Sequence, residues 1–435
     1  MRRNVGNGTD SFTLIRQTDG MNNRVGPDGT GEGMVDENYV LDLYIVDGTR
    51  LTLPDTDAGN ETISVQGLYD EVVQIKLCYQ AETRLSASAG ATYVDALGNW
   101  HEMVIFGVIE NATGSAGRDL IHGNDLANRL WGETVLAGPG AADTLLGGAG
   151  NDTVHGGVGA DLLAGEGEDD LLYGEVGADT ITGGAGRDTV EGGAGADSLT
   201  GGGEAGDMLS YLASDAGVEI ALLAGVTVTG RGGDAAGDQV QGFTAITGSA
   251  FRDLLSDNDK ATLADGANDN LFSGGGGRDR LRLGGGNDTG LGGASADVIW
   301  GEAGQDVLSG DFGNDILRGG LGQDTLSGGA GADRFEFRLL GDSAPDMAAQ
   351  DIITDFAASE GDRIDLRGID AMAGVIGNQA FVLISTDFTG TAGEMRLAAQ
   401  GSDLMVMADT TGDGLADFAL LLTDVAGLSD SDFLL

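Results

Sequence analysis

The most regular feature of the chain is an apolar position that returns every nine residues. In Thr189-Val190-Glu191 only the middle side chain is aliphatic, which is typical of a very short strand with one inward side chain. The apolar residue stands two positions after an aspartate in 13 of 14 units, and Gly290 is the exception. This periodicity predicts a solenoid whose short strands stack in parallel.

The aspartates of this pattern fall into two blocks with nine-residue spacing. They are Asp143, Asp152, Asp161, Asp170, Asp179, Asp188 and Asp197, then Asp279, Asp288, Asp297, Asp306, Asp315, Asp324 and Asp333. A glycine stands five residues before the aspartate in 13 of 14 units, and Leu283 is the exception. Each unit therefore consists of a glycine-rich turn, an aspartate and a short strand.

The turn and the aspartate together predict a calcium site. Glycine adopts positive φ without steric cost, so the turn can expose consecutive backbone carbonyl oxygens. Oxygen-only ligands on a flexible frame suit Ca²⁺ better than Zn²⁺ or a soft metal. We predict all fourteen aspartates as ligands of on the order of ten calcium ions between successive turns. The predicted carbonyl ligands are those of Gly148, Gly150, Gly157, Gly159, Gly184, Gly186, Gly193, Gly195, Gly320, Gly322, Gly329 and Gly331.

The same pattern predicts that folding requires the ions. Two units make one coil of 18 residues, which buries only two aliphatic side chains. That apolar surface is small beside the conformational entropy lost on ordering the coil. We therefore expect disorder without calcium and a folded chain with it. A flexible Gly/Asp-rich linker is the alternative, but a linker would not keep an aliphatic residue in phase through two blocks.

The charge of the chain limits its partners. The sequence has 70 acidic and 22 basic residues and a net charge of −48. Such a surface repels nucleic acid and anionic lipid, so neither is an expected partner, whereas divalent cations neutralise it.

Other composition features favour an extracellular protein. The single cysteine, Cys78, excludes an intramolecular disulfide and is predicted as a small hydrophobic residue on a strand. No apolar stretch follows the N-terminal Met1-Arg2-Arg3, so no secretory signal is visible. The longest near-apolar run, Val218–Val228, is too short to span a bilayer. Because weak calcium sites stay empty in the cytosol, we expect export by a route that needs no N-terminal signal.

The predicted fold class is all-β: a parallel β-roll solenoid in two blocks, a small N-terminal β domain and a C-terminal β cap. Strands are expected at residues 39–46 and 72–79, where apolar residues run together or alternate. An internal duplication relates residues 107–121 to residues 242–255. The expected divisions are a β domain at 1–103, roll blocks at 104–206 and 263–336, a β spur and linking segment at 207–262, and the cap at 337–435.

Two stretches resemble known families. Residues 114–336 resemble the RTX, or haemolysin-type, calcium-binding proteins through the nonapeptides given above. Residues 333–435 are similar to the C-terminal domain of serralysin-type metalloproteases, a domain that serves as an uncleaved type I secretion signal. The residues that carry this second resemblance are Asp351-Ile352-Ile353-Thr354-Asp355-Phe356, residues 360–366, 390–394 and 413–418, and the terminal Asp432-Phe433-Leu434-Leu435. The resemblance implies the type I secretion machinery as a partner; residues 1–103 resemble no family that we recognise.

No enzyme motif stands out in the chain. His101-Glu102 has no second histidine four positions after the first, so no zinc-protease site is expected. No Gly-x-Ser-x-Gly string marks a serine hydrolase. His122 and His155 are expected as outward-facing surface residues. Residues 409–420 lack the final glutamate of an EF-hand loop and are expected to form a hairpin turn.

These observations favour a secreted, non-enzymatic calcium-binding protein of a surface layer, a matrix or an adhesive structure. Residues 1–103 would then attach it to a cell-surface or matrix ligand. The alternative is a secreted hydrolase or polysaccharide-acting enzyme whose active site lies in residues 1–103.

Overall fold

A computed structural model describes most of the chain from residue 111 onwards and several strands before it. Backbone alone is described for residues 11–15, 40–43, 51–54, 62–66, 72–76, 89–94, 100–106 and 111. Side chains as well are described for residues 112–114, 118–123, 125–132, 140–202, 206–257 and 269–435. Within these ranges the chain is all-β, with three short 3₁₀ turns and no α-helix. No helix among them is long and apolar enough to cross a membrane.

Seven strands precede the repeats. They are β1 (Ser11–Ile15), β2 (Val40–Leu43), β3 (Leu51–Pro54), β4 (Thr62–Gln66), β5 (Val72–Lys76), β6 (Ala89–Val94) and β7 (Trp100–Phe106). Strands β2 and β5 fall inside the two segments predicted as strands. Strands β5, β6 and β7 form an antiparallel meander, whereas β1 pairs in parallel with β2 and β4. The side chains of this segment, including Cys78 and His101, lie outside the described residues.

The first roll block stacks two parallel sheets. Its strands are β8 (Asn111–Thr113), β9 (Asp119–His122), β10 (Arg129–Trp131), β11 (Thr144–Gly148), β12 (Thr153–Gly159), β13 (Leu162–Gly167), β14 (Leu171–Gly177), β15 (Thr180–Ala185), β16 (Thr189–Glu191), β17 (Ala194–Gly195), β18 (Ser198–Thr200) and β19 (Met208–Ser210). One sheet runs β8-β10-β12-β14-β16-β19 and the other runs β9-β11-β13-β15-β18. Both begin in the preceding segment, because β4 pairs in parallel with β8 and β5 with β9.

The second block and the cap contribute the remaining elements. These are β20 (Glu219–Leu222), β21 (Val228–Thr229), β22 (Gln239–Gln241), β23 (Ala245–Thr247), β24 (Leu254–Asp257), β25 (Leu271–Ser273), β26 (Arg280–Gly285), β27 (Thr289–Ala294), β28 (Val298–Ala303), β29 (Val307–Phe312), β30 (Ile316–Leu321), β31 (Thr325–Ser327), β32 (Arg334–Glu336), β33 (Asp351–Ile353), β34 (Arg363–Asp365), β35 (Val382–Ile384), β36 (Glu394–Gln400), β37 (Asp403–Asp409), β38 (Phe418–Leu422) and β39 (Phe433–Leu434). The 3₁₀ turns are Gly233–Ala235, Leu340–Asp342 and Asp430–Asp432.

The chain divides into two compact units, residues 1–209 with 237–243, and residues 210–236 with 244–435. In the second unit the parallel sheets run β23-β25-β27-β29-β31-β33 and β20-β24-β26-β28-β30-β32-β34-β39. Within residues 207–262, expected as a linking segment and a β spur that interrupts the solenoid, strands β20, β22, β23 and β24 pair within the sheets of the rolls. Strand β20 opens one sheet of the second unit, and β22 adds to β18 in the first.

The middle residue of each short strand forms the core of the rolls. In the pair β12–β14, Val154 lies opposite Leu172, and both side chains are fully buried. Because each strand points one side chain inward and two outward, each sheet contributes a single row of side chains to the core. This confirms the parallel β-roll predicted from the nine-residue pattern.

The two exceptions to the repeat compensate each other. Leu283, where a glycine is expected, is fully buried. A Cβ on Gly290, where an apolar residue is expected, would lie 2.9 Å from Leu283 Cδ1 and 3.0 Å from Ile299 Cγ2. The Leu283 side chain therefore fills the core space that Gly290 leaves open.

The cap begins as a roll and ends as an antiparallel sheet. Strands β33 and β34 continue the two parallel sheets, after which β36, β37 and β38 form a meander. Phe337 packs edge-on against Phe418 with ring centroids 5.3 Å apart. The turn between β37 and β38 is organised by Asp409, whose carboxylate accepts from the backbone N–H groups of Gly412 and Gly414 at 2.6 and 2.8 Å. It is the predicted hairpin turn.

Candidate metal centre

The repeat aspartates form ladders along the rolls. The backbone N–H of Asp152 donates to Oδ1 of Asp170 at 2.8 Å, and the N–H of Asp170 donates to Oδ1 of Asp188 at 3.0 Å. The parallel register of 18 residues per coil brings each aspartate under the aspartate of the coil before it. One carboxylate oxygen of each residue thus fixes the turn that precedes it.

Four such ladders run through the two units. In stacking order they are Asp119, Asp143, Asp161, Asp179, Asp197 and Asp238 (first ladder); Asn128, Asp152, Asp170, Asp188 and Asp207 (second ladder); Asp253, Asp279, Asp297, Asp315, Asp333 and Asp362 (third ladder); and Asn270, Asp288, Asp306, Asp324 and Asp351 (fourth ladder). All fourteen predicted aspartates lie in these ladders, and each is at most 2 % exposed.

The second carboxylate oxygen lacks a hydrogen-bond donor at many ladder positions. Oδ2 is buried without a donor in Asp152, Asp161, Asp170, Asp179, Asp279, Asp288, Asp297, Asp306, Asp315, Asp324, Asp333 and Asp351. A buried carboxylate oxygen with no partner is strongly unfavourable, because the charge has lost its water and gained nothing. A row of such oxygens fits the binding of cations, which would supply the missing positive partner.

In most of the described units the first glycine lies between this Oδ2 and the carbonyl oxygen of the first glycine of the next coil. A Cβ on Gly156 would lie 2.8 Å from Oδ2 of Asp161 and 2.9 Å from the carbonyl oxygen of Gly174. At Gly274 both corresponding distances are 2.6 Å, to Asp279 and Gly292. Only glycine leaves this space open, which explains its place five residues before the aspartate. These first-position carbonyls are candidate ligands that the sequence reasoning missed, since it selected only the second and fourth positions.

The predicted carbonyl glycines line the turns. Positive φ occurs at Gly148, Gly150, Gly157, Gly184, Gly186, Gly193, Gly320, Gly322, Gly329 and Gly331. At Gly159 and Gly195 a Cβ would instead collide with the carbonyl oxygens of Ala141 and Gly177. Every one of these positions thus demands glycine or crowds another backbone, and their role as calcium ligands stays a prediction.

In several turns an acidic residue stands in place of the second glycine and pairs with an outward-facing side chain of an earlier strand. Glu175 has a positive φ of 72° and accepts from His155 at 2.9 Å. Glu302 is left-handed as well and pairs with Arg282, also 20 residues earlier. His155 is sandwiched between the rings of Trp131 and Tyr173. His155 and His122 face outward as predicted, and both are half-buried.

Burial dominates the electrostatics of the ladders. It raises the pKa of Asp170 to about 8, and the neighbouring carboxylates of Asp152 and Asp188 add to the increase. The pKa of Asp306 is raised by burial to about 7. Burial therefore favours the protonated form of these carboxylates, so that an appreciable fraction is protonated at neutral pH when no cation is bound.

The donor set fits calcium. No cluster of three or more His, Cys, Asp or Glu side chains that could hold a metal occurs where side chains are described. Instead, single carboxylates alternate with backbone carbonyls, both hard oxygen donors of the kind calcium prefers. The ladder aspartates and the glycine carbonyls would hold the ions, and each ion would supply the positive charge that the buried oxygens lack.

The ladders also include residues that the nine-residue pattern missed. Asp207, Asp238, Asp351 and Asp362 accept the same hydrogen bond from a repeat aspartate, at sequence separations of 19, 41, 27 and 29. Inserted loops lengthen the coil at these points, so the spacing is lost while the stacking is kept. Asp253 also lies outside the nine-residue pattern, but the sequence does indicate it, because the internal duplication aligns it with Asp119.

A protein-family model agrees with this donor set. The family model of the RTX calcium-binding nonapeptide repeat (four copies) matches residues 109–134, 140–172, 173–206, 256–290, 284–317 and 309–337. Among solved structures, the AlgE6R3 subunit of the Azotobacter vinelandii mannuronan C5-epimerase is 32 % identical, with 32 % of this chain and 73 % of that chain covered and a TM-score of 0.24. The AlgE6R2 subunit of the same enzyme is 23 % identical over 44 % of this chain and 91 % of that chain, with a TM-score of 0.20. No curated protein matched.

Proposed function

We propose that this chain, which carries RTX calcium-binding nonapeptide repeats, is a secreted, non-enzymatic protein that folds when it meets extracellular calcium. The observation that carries the proposal is the row of buried Oδ2 atoms without a donor. Ions that bind only the folded rolls stabilise them by mass action, so the calcium level sets whether the chain is folded. Cytosolic calcium is too low for sites of this class, and external calcium is not.

The proposed role is that of a surface-layer, matrix or adhesive component. The rolls would act as a calcium-stiffened spacer, and residues 1–103 would attach to a cell-surface or matrix ligand. The rival role is that of a secreted hydrolase or polysaccharide-acting enzyme with its active site in residues 1–103, whose side chains lie outside the described part of the chain.

Circular dichroism tests the folding proposal. In calcium-free buffer the far-UV spectrum should be largely disordered, and millimolar Ca²⁺ should produce a β spectrum with a cooperative onset. Mg²⁺ is the control; it should not substitute, because it demands tight octahedral geometry and dehydrates reluctantly. A β spectrum that stays the same after calcium removal would refute calcium-driven folding.

Export is proposed to use the type I machinery through residues 337–435. Deleting residues 336–435 should then leave the protein inside the cell, while deleting residues 1–103 should leave export intact. Immunodetection in medium and cell fractions distinguishes the two deletions. The reverse pattern would place the export signal at the other end of the chain.

A further inference from the structure

The fourth ladder does not end with the last nonapeptide. The backbone N–H of Asp324 donates to Oδ1 of Asp351 at 2.9 Å, the same bond that joins one repeat to the next. The third ladder continues in the same way, from Asp333 to Oδ1 of Asp362 at 2.9 Å. Both acceptors belong to the cap. The cap therefore provides one more carboxylate to each ladder.

The two cap carboxylates differ in their second oxygen. Oδ2 of Asp362 accepts from the backbone N–H of Ala357 at 2.8 Å. Oδ2 of Asp351 is buried and has no donor, and the residue is 0 % exposed. At the other end of the third ladder the second oxygen also has a protein donor, since the backbone N–H of Ser249 donates to Oδ2 of Asp253 at 2.6 Å. Of the two cap carboxylates, only Asp351 of the fourth ladder therefore has a second oxygen without a donor.

Negative charge converges on Asp351. Its pKa is raised to about 10, mainly by burial and in part by the carboxylates of Asp324, Asp342 and Asp306. Asp342 is already engaged, since its Oδ2 accepts from the backbone N–H groups of Arg338 and Leu339. Oδ2 of Asp324 is orphaned as well. Two buried oxygens on consecutive rungs of one ladder thus lack a positive partner.

We propose that Asp351 and Asp324 form a further calcium site, outside the nonapeptide repeats, that joins the cap to the second roll block. The inference rests on the proposed calcium binding of the repeats. Backbone carbonyls would complete the coordination, as at the other rungs. Asp362 provides no such site, because a protein donor already satisfies its second oxygen. The attachment of the cap to the second roll block, rather than the folding of its antiparallel strands, is then linked to calcium at Asp351.

The test compares Asp351→Asn with the matched variant Asp362→Asn. Bound calcium per chain is counted by native mass spectrometry and by equilibrium dialysis with radioactive calcium. We expect Asp351→Asn to bind one ion fewer than the wild type and Asp362→Asn to bind the wild-type number. An unchanged count in Asp351→Asn would show that Asp351 is simply a buried neutral acid. Equal losses in both variants would show a general disturbance of the cap, and either result overturns the proposal.

A second measurement does not depend on the variants folding. Crystals of the full chain grown with calcium should show an ion at about 2.3–2.6 Å from Oδ2 of Asp351. Anomalous density at the repeats but not at Asp351 would refute this site and leave the proposed function intact. Absence of calcium at the repeats too would refute the proposed function itself.

Discussion

The second roll block and the antiparallel part of the cap use the same residue types in opposite ways. In the roll each strand buries one large side chain, such as Leu308 in β29 or Leu317 in β30, and the residues on either side of it face outward. In the cap, by contrast, β38 reads Phe418–Leu422 and buries four of its five residues. The cap therefore has an apolar core of its own, whereas the roll has a thin one interleaved with carboxylates.

The aspartates show the same contrast. In the roll, burial raises the pKa of Asp288 to about 8 despite a hydrogen bond from Asn270. In the cap, burial of Asp417 would also raise its pKa, but hydrogen bonds from Thr410 and Thr411 hold it below the ordinary value. A carboxylate that the protein satisfies stabilises the fold directly, and one that it leaves unsatisfied makes the fold depend on an added cation.

The largest expected effect is a loss of the roll without loss of the antiparallel cap. On calcium removal, hydrogen exchange should become fast in β26 to β31, because only ions offset the buried charges there. Strands β36 to β38 should keep their protection, because apolar burial holds them together. Mass spectrometry of peptides from each region measures both. Simultaneous loss of protection in the roll and in β36 to β38 would mean that the two regions form one cooperative unit and would break the comparison.

A pH experiment should distinguish stabilisation of the roll by calcium from stabilisation by protonation of its buried aspartates. Because the folded pKa values of Asp152 and Asp306 are raised to about 7 from an ordinary value near 4, the ion-free fold holds its protons more tightly than the unfolded chain. Its stability is then complete below about pH 4 and is lost as the pH rises through 6 to 8. In calcium-stripped buffer, β content should be higher at pH 5 than at pH 8. The calcium midpoint should move the other way and rise on acidification, because protons compete for the same oxygens.

Net charge offers a competing explanation for an acid effect, because acidification also relieves surface repulsion in a chain of charge −48. High salt screens exposed charges far more than buried ones. The acid-induced gain in β content should therefore persist in 1 M NaCl. A gain that disappears in high salt would assign the effect to the surface rather than to the ladders.

The nine-residue pattern was sufficient for the roll and insufficient for its ends. It predicts the parallel stacking and places all fourteen aspartates on ladders, because each coil repeats the same local turn and strand. It could not reveal Asp351 or Asp362, because insertions of 9 and 11 residues beyond the 18-residue coil hide the stacking that the backbone keeps. It also could not show that Leu283 and Gly290 belong together, because the exchange is one of space inside the core and not of sequence position.

The smallest expected effect concerns that exchange and uses a double-mutant cycle. Leu283→Gly should destabilise the second block by about 2–5 kcal/mol, because it leaves a cavity in the core. Gly290→Leu should cost about 1–3 kcal/mol, because the new side chain would meet Leu283 and Ile299. In the double variant the new leucine occupies the vacated space, so the combined loss should be smaller than the sum by roughly 0.5–3 kcal/mol.

Thermal unfolding at one fixed, saturating calcium concentration measures the cycle, since stability here depends on the free ion. Leu317→Ala paired with Gly290→Leu is the matched control: it opens a cavity in the same roll at a residue that is not among the three nearest neighbours of a Cβ on Gly290. That pair should be additive. If the Leu283 and Gly290 changes are additive as well, the two exceptions are independent, and the roll tolerates each for a separate reason. If they couple, the core space of a coil can be filled by a side chain at the position of Leu283 as well as by the usual inward residue two positions after the aspartate. The repeat then constrains the volume of the core more strictly than it constrains which residue fills it.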